Sequence, residues 1–126
     1  MKLVLDSGAV TLLAKGDKRA AAMIRRLLRI EAWPPVIPSA VLVECLTGRA
    51  DRDARTNQFL KRCQVNENLS TPLARRAATL RRAAGRGSAV DAIVVAIAEP
   101  AALVLTSNLD DLTALAEGTN VIVRGI

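Results

Sequence analysis

The chain has 126 residues, 51% of them hydrophobic, and a net charge of +6. This length and apolar content suit one compact domain. Arginine accounts for most of the 18 cationic side chains, which favours an anionic partner such as nucleic acid, although arginine also serves buried and interface ion pairs. With one Trp, one Phe and no Tyr, the base-stacking surfaces of many single-strand binders are not expected.

Neither a membrane anchor nor an export signal is predicted. The longest uncharged stretch, residues 32–43, is interrupted by prolines, and Lys2 precedes only a short apolar run. We therefore expect a cytoplasmic protein. There is no histidine, and Cys45 and Cys63 lie far apart, so the common zinc-site patterns are absent and both thiols are expected to be small buried side chains.

Short apolar runs alternate with helix-like stretches along the chain. Such alternation predicts one α/β three-layer sandwich, with a central, mainly parallel sheet of four to five strands covered by helices on both faces. The predicted strands are residues 2–5, 35–37, 62–65, 103–106 and 120–123.

Capping residues mark the predicted helices. Helices are expected over residues 17–30 and 51–61, and a third is expected to end at Gly85. The predicted N-cap residues are Asp17, Ser39, Asp51, Thr71 and Ser88.

Three acids stand alone in apolar surroundings. Asp6 ends the strand candidate KLVL, Glu44 lies in VIPSAVLVECL, and Asp91 is the only charge in SAVDAIVVAIA. The segment around Glu44 is so apolar that its side chain is expected to point into the core, where an ionised group needs a partner. A further acidic pair, Asp110-Asp111, follows the strand candidate LVLT.

Each acid also has a structural explanation. The segments SAVD and NLDD fit capping boxes that would involve Asp91 and Asp111, and Asp6 could cap the next helix. Glu44 is too far from Ser39 to complete a capping box, so its structural alternative is a buried pair with an arginine.

Considered together, these acids predict a cation site. In parallel α/β sheets, ligands bind at the carboxyl ends of strands, and Asp6 lies at such an end. Two carboxylates about 4 Å apart repel by about 4 kcal/mol at an effective dielectric constant of about 20, and no lysine or arginine is close in sequence to Glu44, Asp91 or Asp111. Oxygen ligands without histidine suit Mg²⁺ or Mn²⁺. In a basic protein, such an ion favours phosphodiester hydrolysis by metal-activated water.

In this order and spacing, the segments LVLDSGAV, IPSAVLVECLTG, SAVDAIVVAIA and LTSNLDDL resemble PIN-domain ribonucleases, specifically the VapC-type toxins of bacterial toxin–antitoxin pairs. The resemblance covers essentially the whole chain and implies a single PIN-like nuclease domain over residues 1–126. It also implies four acids that bind Mg²⁺ or Mn²⁺ and serve catalysis: Asp6, Glu44, Asp91 and Asp111.

The fourth acidic position departs from the commonest family pattern. Many relatives have aspartate where this chain has Asn108, so Asp111 is the preferred fourth acid and Asp110 the reserve. Because an amide adds no charge, weaker metal affinity is expected than in sites with four acids. Ser7 and Thr106 match family hydroxyl residues that orient carboxylates or water.

The resemblance further implies an endoribonuclease that prefers single-stranded RNA and leaves a 3′-hydroxyl and a 5′-phosphate. It implies a homodimer and a cognate VapB-like antitoxin that inserts a side chain, often arginine, towards the acidic pocket. From the residues themselves, two sets of arginines are candidates for phosphate contact, and each set could equally be a solvated helix surface. These sets are Arg75, Arg82 and Arg86 on one helical face, and Arg49, Arg52 and Arg55 at three-residue spacing.

Other functions are weighed against this one. An aspartyl-phosphate phosphatase needs a second aspartate two residues after the first, where this chain has Gly8. A receiver domain needs an early acidic pair and a lysine after a late strand, and neither is present. The serious alternative is a catalytically weak or inactive PIN-like module that binds RNA or protein, with Asn108 marking lost chemistry.

Overall fold

The computed structural model describes residues 1–126, and five strands form its single sheet. The strands are β1 (Leu3–Leu5), β2 (Val36–Pro38), β3 (Gln64–Asn66), β4 (Leu103–Thr106) and β5 (Ile122–Gly125). All neighbouring strands are parallel, in the order β3-β2-β1-β4-β5. The predicted α/β class and each predicted strand are confirmed, with ends displaced by one or two residues at most.

Seven helices accompany the sheet, and the arrangement is consistent with the predicted three-layer sandwich. None of these helices combines the length and apolar character needed to cross a membrane. They are α1 (Ser7–Ala14), α2 (Lys18–Arg29), α3 (Ser39–Cys45), α4 (Ala50–Leu60), α5 (Thr71–Ala84), α6 (Ala89–Ala98) and α7 (Leu109–Ala116).

The strand order places a topological switch point beside β1. The chain runs from β1 outward to β2 and β3, and then returns to β4 and β5 on the other side of β1. The crevice beyond the carboxyl ends of two strands that diverge in this way is the usual ligand position in open α/β sheets. Asp6 directly follows β1 and Thr106 ends β4, so both residues lie at this crevice.

The core lies around the two central strands and α6. Every residue of β1 and β4 is buried, and α6 packs against both strands with Val94 and Val95 fully enclosed. Full burial of one aliphatic side chain of this size stabilises the fold by about 1.5–3 kcal/mol. The elements that carry Asp6, Asp91 and Thr106 are therefore among the most firmly packed of the molecule.

Helix caps follow the predictions in part. Asp17 Oδ1 accepts a hydrogen bond from Ala20 N at 2.8 Å, and Gly85 ends α5 in the left-handed conformation, with φ at 66°, as predicted. At two other helix starts no side chain caps the helix, whereas Ser70 Oγ accepts a hydrogen bond from Leu73 N at 3.3 Å at the start of α5. Three predicted caps are corrected by one or two residues: the N-cap positions belong to Pro38, Arg49 and Ser70, not to Ser39, Asp51 and Thr71.

Asp53 is a buried acid that the sequence does not single out. Its Oδ1 accepts hydrogen bonds from Thr47 N and Thr47 Oγ1 at 2.9 and 2.8 Å, and its Oδ2 accepts from Gly48 N at 2.9 Å. These bonds, above all that from Thr47 N, hold the pKa of Asp53 below its usual range. Asp53 therefore fastens the turn between α3 and α4.

The two cysteines are free and half-buried. Burial raises the pKa of Cys63 to about 12 and also raises that of Cys45. Since the thiolate is the nucleophilic form, neither side chain is an activated nucleophile.

Candidate active site

Asp6 is the most deeply buried acid at the switch point, with 4% of its surface exposed. Its Oδ1 accepts a hydrogen bond from Ala9 N at 2.9 Å, which caps α1. Its Oδ2 accepts a hydrogen bond from Thr106 Oγ1, and the Thr106 side chain is itself fully buried. Asp6 therefore caps a helix, as its structural explanation predicts, and also lies in the crevice.

The electrostatic environment of Asp6 lacks a cation. Burial raises its pKa above the usual range, and the negative charge of Asp91 raises it further. Hydrogen bonds from Thr106 and Ala9 act in the opposite direction. Neither Asp6 nor Asp91 forms an ion pair with a lysine or arginine. Two neighbouring carboxylates without a cationic partner favour the binding of a cation.

Asp91 begins α6 in the predicted capping box. Asp91 N donates to Ser88 Oγ at 3.0 Å, and Ser88 N donates to Asp91 Oδ2 at 3.3 Å. Asn108 Nδ2 donates to the same Oδ2 at 3.4 Å. Because the carboxylate accepts both of these bonds through Oδ2, the Oδ1 atom of Asp91 has no hydrogen-bond partner and remains available to a ligand.

Asn108 and Asp111 do not form the predicted capping box. Asn108 occupies the N-cap position of α7 but makes no capping hydrogen bond; instead, its Nδ2 donates to Asp111 Oδ2 at 2.9 Å. Arg86 Nε donates to Asp111 Oδ1 at 2.5 Å. These two bonds, led by that from Asn108, hold the pKa of Asp111 below its usual range. The fold thus gives Asp111 a cationic partner that lies far from it in sequence.

Glu44 is exposed on α3, so the prediction that it points into the core is wrong. It forms no ion pair, so the alternative of a buried pair with an arginine is wrong as well. The helix buries Val41 completely but leaves Val43 82% exposed. The apolar run therefore overstates how much of this short helix faces the core.

The donor set fits a hard divalent cation in part. No three Asp, Glu, His or Cys side chains are arranged to hold one metal ion. Asp6 and Asp91 nevertheless supply two carboxylates without cationic partners, and Mg²⁺ is commonly bound by one or two carboxylates, with water and substrate phosphate completing its coordination. Neither Glu44 nor Asp111 is arranged with them as a third ligand.

Gly8 marks a close approach between the first turn of α1 and the loop after β4. A Cβ atom on Gly8 would lie 1.7 Å from Ser107 Oγ and 2.6 Å from Ser107 Cβ. This position therefore has no room for the second aspartate of an aspartyl-phosphate phosphatase. Ser107 directly follows Thr106, which donates to Asp6, so this close approach lies next to the crevice.

Gly8→Ala is expected to destabilise the protein by about 1–3 kcal/mol, because the added methyl group overpacks this contact. Urea denaturation measures the change. Introducing Gly8→Ala into a Ser107→Gly background is the matched control, since the obstructing side chain is then absent. An equal loss of stability in both backgrounds would show that the contact with Ser107 is not the cause.

The predicted arginine sets are only partly preserved. Because α5 ends at Ala84, with Gly85 as its C-cap, Arg86 lies beyond the helix and does not share a face with Arg75 and Arg82. The other set is at the start of α4: Arg49 occupies the N-cap and pairs with an exposed acid, while Arg52 and Arg55 are exposed on the helix.

A basic cleft of about 580 Å³ lies beside α4, α1 and α2. Its floor includes apolar side chains such as Ile24 and Phe59, and no acid lines it. The cleft therefore suits an anionic partner. The cationic residues that line it are Lys15, Arg25, Arg55 and Arg62.

Together, the fold and the site define a doubly wound parallel α/β protein with two carboxylates at its switch point and basic surfaces on its helices. No protein-family model matches the chain, and no curated protein matches its sequence.

Proposed function

We propose that this protein is a metal-dependent endoribonuclease that hydrolyses RNA phosphodiester bonds with metal-activated water. The observation that carries the proposal is that two neighbouring carboxylates, Asp6 and Asp91, lie at the switch point and that neither forms an ion pair with a lysine or arginine. The ordered motifs that resemble PIN-domain ribonucleases support the same function.

Each residue of the crevice has a place in this chemistry. A bound Mg²⁺ or Mn²⁺ would lower the pKa of a water ligand and stabilise negative charge on the phosphate. Asp6 and Asp91 would hold the ion, while the buried hydroxyl of Thr106 fixes one oxygen of Asp6. Glu44 and Asp111 remain candidate ligands after side-chain rearrangement.

The biological setting follows from the resemblance and the charge. We propose a cytoplasmic toxin of a VapBC-type pair that forms homodimers and is bound by a VapB-like antitoxin. The exposed arginines Arg49, Arg52, Arg55, Arg82 and Arg86 are candidates for contacts with RNA phosphates.

RNA cleavage by the purified protein tests the proposal. With Mn²⁺ or Mg²⁺, single-stranded RNA should be cut to products with 3′-hydroxyl and 5′-phosphate ends, and EDTA should stop the reaction. Asp91→Asn should remove cleavage and keep the capping box, since asparagine retains an oxygen that can accept the hydrogen bond from Ser88 N. Cleavage by Asp91→Asn at the parent rate would contradict the site.

The second candidate function is an inactive module that binds RNA. It is favoured by the exposure of Glu44 and by the engagement of Asp111 with Arg86, which leave only two free carboxylates in the crevice. This alternative predicts that the protein binds RNA with Mn²⁺ present and leaves it uncut. It also predicts that growth inhibition upon expression does not depend on Asp91.

A further inference from the structure

We propose that Arg86 binds a phosphate of the RNA at this site, and that Asp111 serves chiefly to hold Arg86 in position. The inference rests on the proposed function and changes the role of Asp111, which the family resemblance makes a metal ligand. It identifies a specific cationic contact next to the carboxylates.

The guanidinium of Arg86 is held in a way that leaves its terminal nitrogens free. It donates to Asp111 only through Nε, and neither Nη atom donates to any acceptor of the protein. The side chain is 54% exposed. A guanidinium anchored at Nε presents its two terminal amino groups to a ligand, and these can donate to phosphate oxygens.

Arg76 shows the contrasting arrangement. Its Nε and Nη2 donate to the two carboxylate oxygens of Glu99 at 2.7 and 2.9 Å. That side-on pair uses both donors on one edge of the guanidinium for a contact within the protein. Arg76 is therefore a suitable reference for a structural ion pair at an exposed arginine.

Two glycines with positive φ flank Arg86. Gly85 and Gly87 have φ values of 66° and 94°, which side-chain-bearing residues rarely adopt. A Cβ atom on Gly87 would lie 2.7 Å from Leu115 Cδ1, and Arg81 Nε donates to Gly87 O at 3.2 Å. The turn between α5 and α6 that carries Arg86 therefore depends on glycine at both flanking positions, and the bond from Arg81 ties it to α5.

Hydrogen bonds connect this arginine to the carboxylates. Asp111 Oδ2 accepts from Asn108 Nδ2 at 2.9 Å, and the same Nδ2 reaches Asp91 Oδ2 at 3.4 Å. Arg86 is thus linked to the carboxylate of Asp91 through Asp111 and Asn108. The two carboxylates would hold a metal ion on one side of a bound phosphate, and Arg86 would lie on another side. Two cations would then offset the negative charge of the phosphate.

RNA binding measured without cleavage tests the inference directly. A labelled single-stranded RNA is titrated with the full chain in EDTA at several salt concentrations. Arg86→Gln should weaken binding about tenfold and reduce the slope of log K against log salt by about 0.7, the value for one lost phosphate contact. Arg76→Gln, the matched control, should leave that slope unchanged.

Two further variants separate phosphate binding from a general structural effect. Arg86→Lys retains the charge but lacks the planar set of donors. Its salt slope should therefore equal that of the parent protein, whereas its cleavage rate in Mn²⁺ should lie between those of Arg86→Gln and the parent. Asp111→Asn should weaken RNA binding. Combining it with Arg86→Gln should weaken binding little further, because both substitutions remove the same contact between Arg86 and phosphate.

The outcomes for the inference and for the proposed function are distinct. An unchanged salt slope in Arg86→Gln overturns the inference even where Asp91→Asn abolishes cleavage. A reduced slope supports the inference even if the parent protein does not cut RNA. The absence of cleavage would contradict only the proposed nuclease activity. Fully additive effects of Asp111→Asn and Arg86→Gln, or no binding of RNA by the parent protein, overturn the inference.

Discussion

Asp6→Asn should abolish metal-dependent RNA cleavage, with a loss of about 10³-fold or more, and should leave the protein folded. Asparagine keeps an oxygen that can accept the hydrogen bond from Ala9 N, and asparagine and aspartate are equally good N-cap residues. The substitution therefore removes the negative charge of Asp6 and retains the start of α1. Single-turnover cleavage of a labelled RNA in Mn²⁺ measures the loss.

The same variant should be at least as stable as the parent protein at neutral pH. Burial raises the pKa of Asp6 above 3.8, so the folded state binds this proton more tightly than the unfolded state does. The contribution of Asp6 to the free energy of unfolding is therefore greatest below pH 3.8, and it declines as the pH rises through the pKa of Asp6 in the folded state. The amide of the substituted side chain does not titrate. The difference in thermal midpoint, variant minus parent, should therefore increase as the pH rises from acidic values to about pH 7.

Asp17→Asn provides a matched control for Asp6→Asn. Asp17 caps α2 in the same way, with Oδ1 accepting from Ala20 N at 2.8 Å, and it takes no part in the hydrogen bonds of the crevice. This variant should cleave RNA at the parent rate. If Asp6→Asn also cleaved at the parent rate, the assignment of the crevice as the active site would be wrong.

Local sequence patterns predict much of the fold and part of the site. The apolar runs mark the strands, and their ends place Asp6 and Thr106 at one edge of a parallel sheet. The capping box of Asp91 is also a local pattern, because its hydrogen bonds join residues three positions apart. The strand order does not follow from these patterns, because β1 and β4 are neighbours in the sheet although they are far apart in sequence.

Features that depend on tertiary packing escape such patterns. The burial of Glu44 is predicted wrongly because an apolar run does not show which face of a short helix meets the core. Arg86 and Asp111 are 25 residues apart, so no local pattern predicts their pairing. The glycines at positions 85 and 87 mark the turn that carries Arg86, but they do not indicate its partner.

Thr106→Val should destabilise the protein by about 1–3 kcal/mol and weaken cation binding about 10- to 100-fold. Valine has nearly the shape of threonine but lacks the hydroxyl that donates to Asp6 and accepts from Asn108 N at 2.7 Å. A polar atom of each residue then loses its partner in or beside the core. Urea denaturation and titration with Mn²⁺ measure the two losses.

The pH dependence of Thr106→Val distinguishes a local electrostatic effect from a general loss of packing. The hydrogen bond from Thr106 lowers the pKa of Asp6, so its removal should raise that pKa further and shift the pH needed for half-maximal Mn²⁺ binding upwards. The loss of stability in Thr106→Val should also be larger at about pH 7 than below pH 3.8. The reason is that the hydrogen bond from Thr106 favours the ionised form of Asp6, which is the form present at the higher pH. Thr79→Val, which removes an exposed hydroxyl on α5, should change neither pH profile. A Thr106→Val variant with the parent pH profile for Mn²⁺ would show that this hydroxyl does not control the ionisation of Asp6.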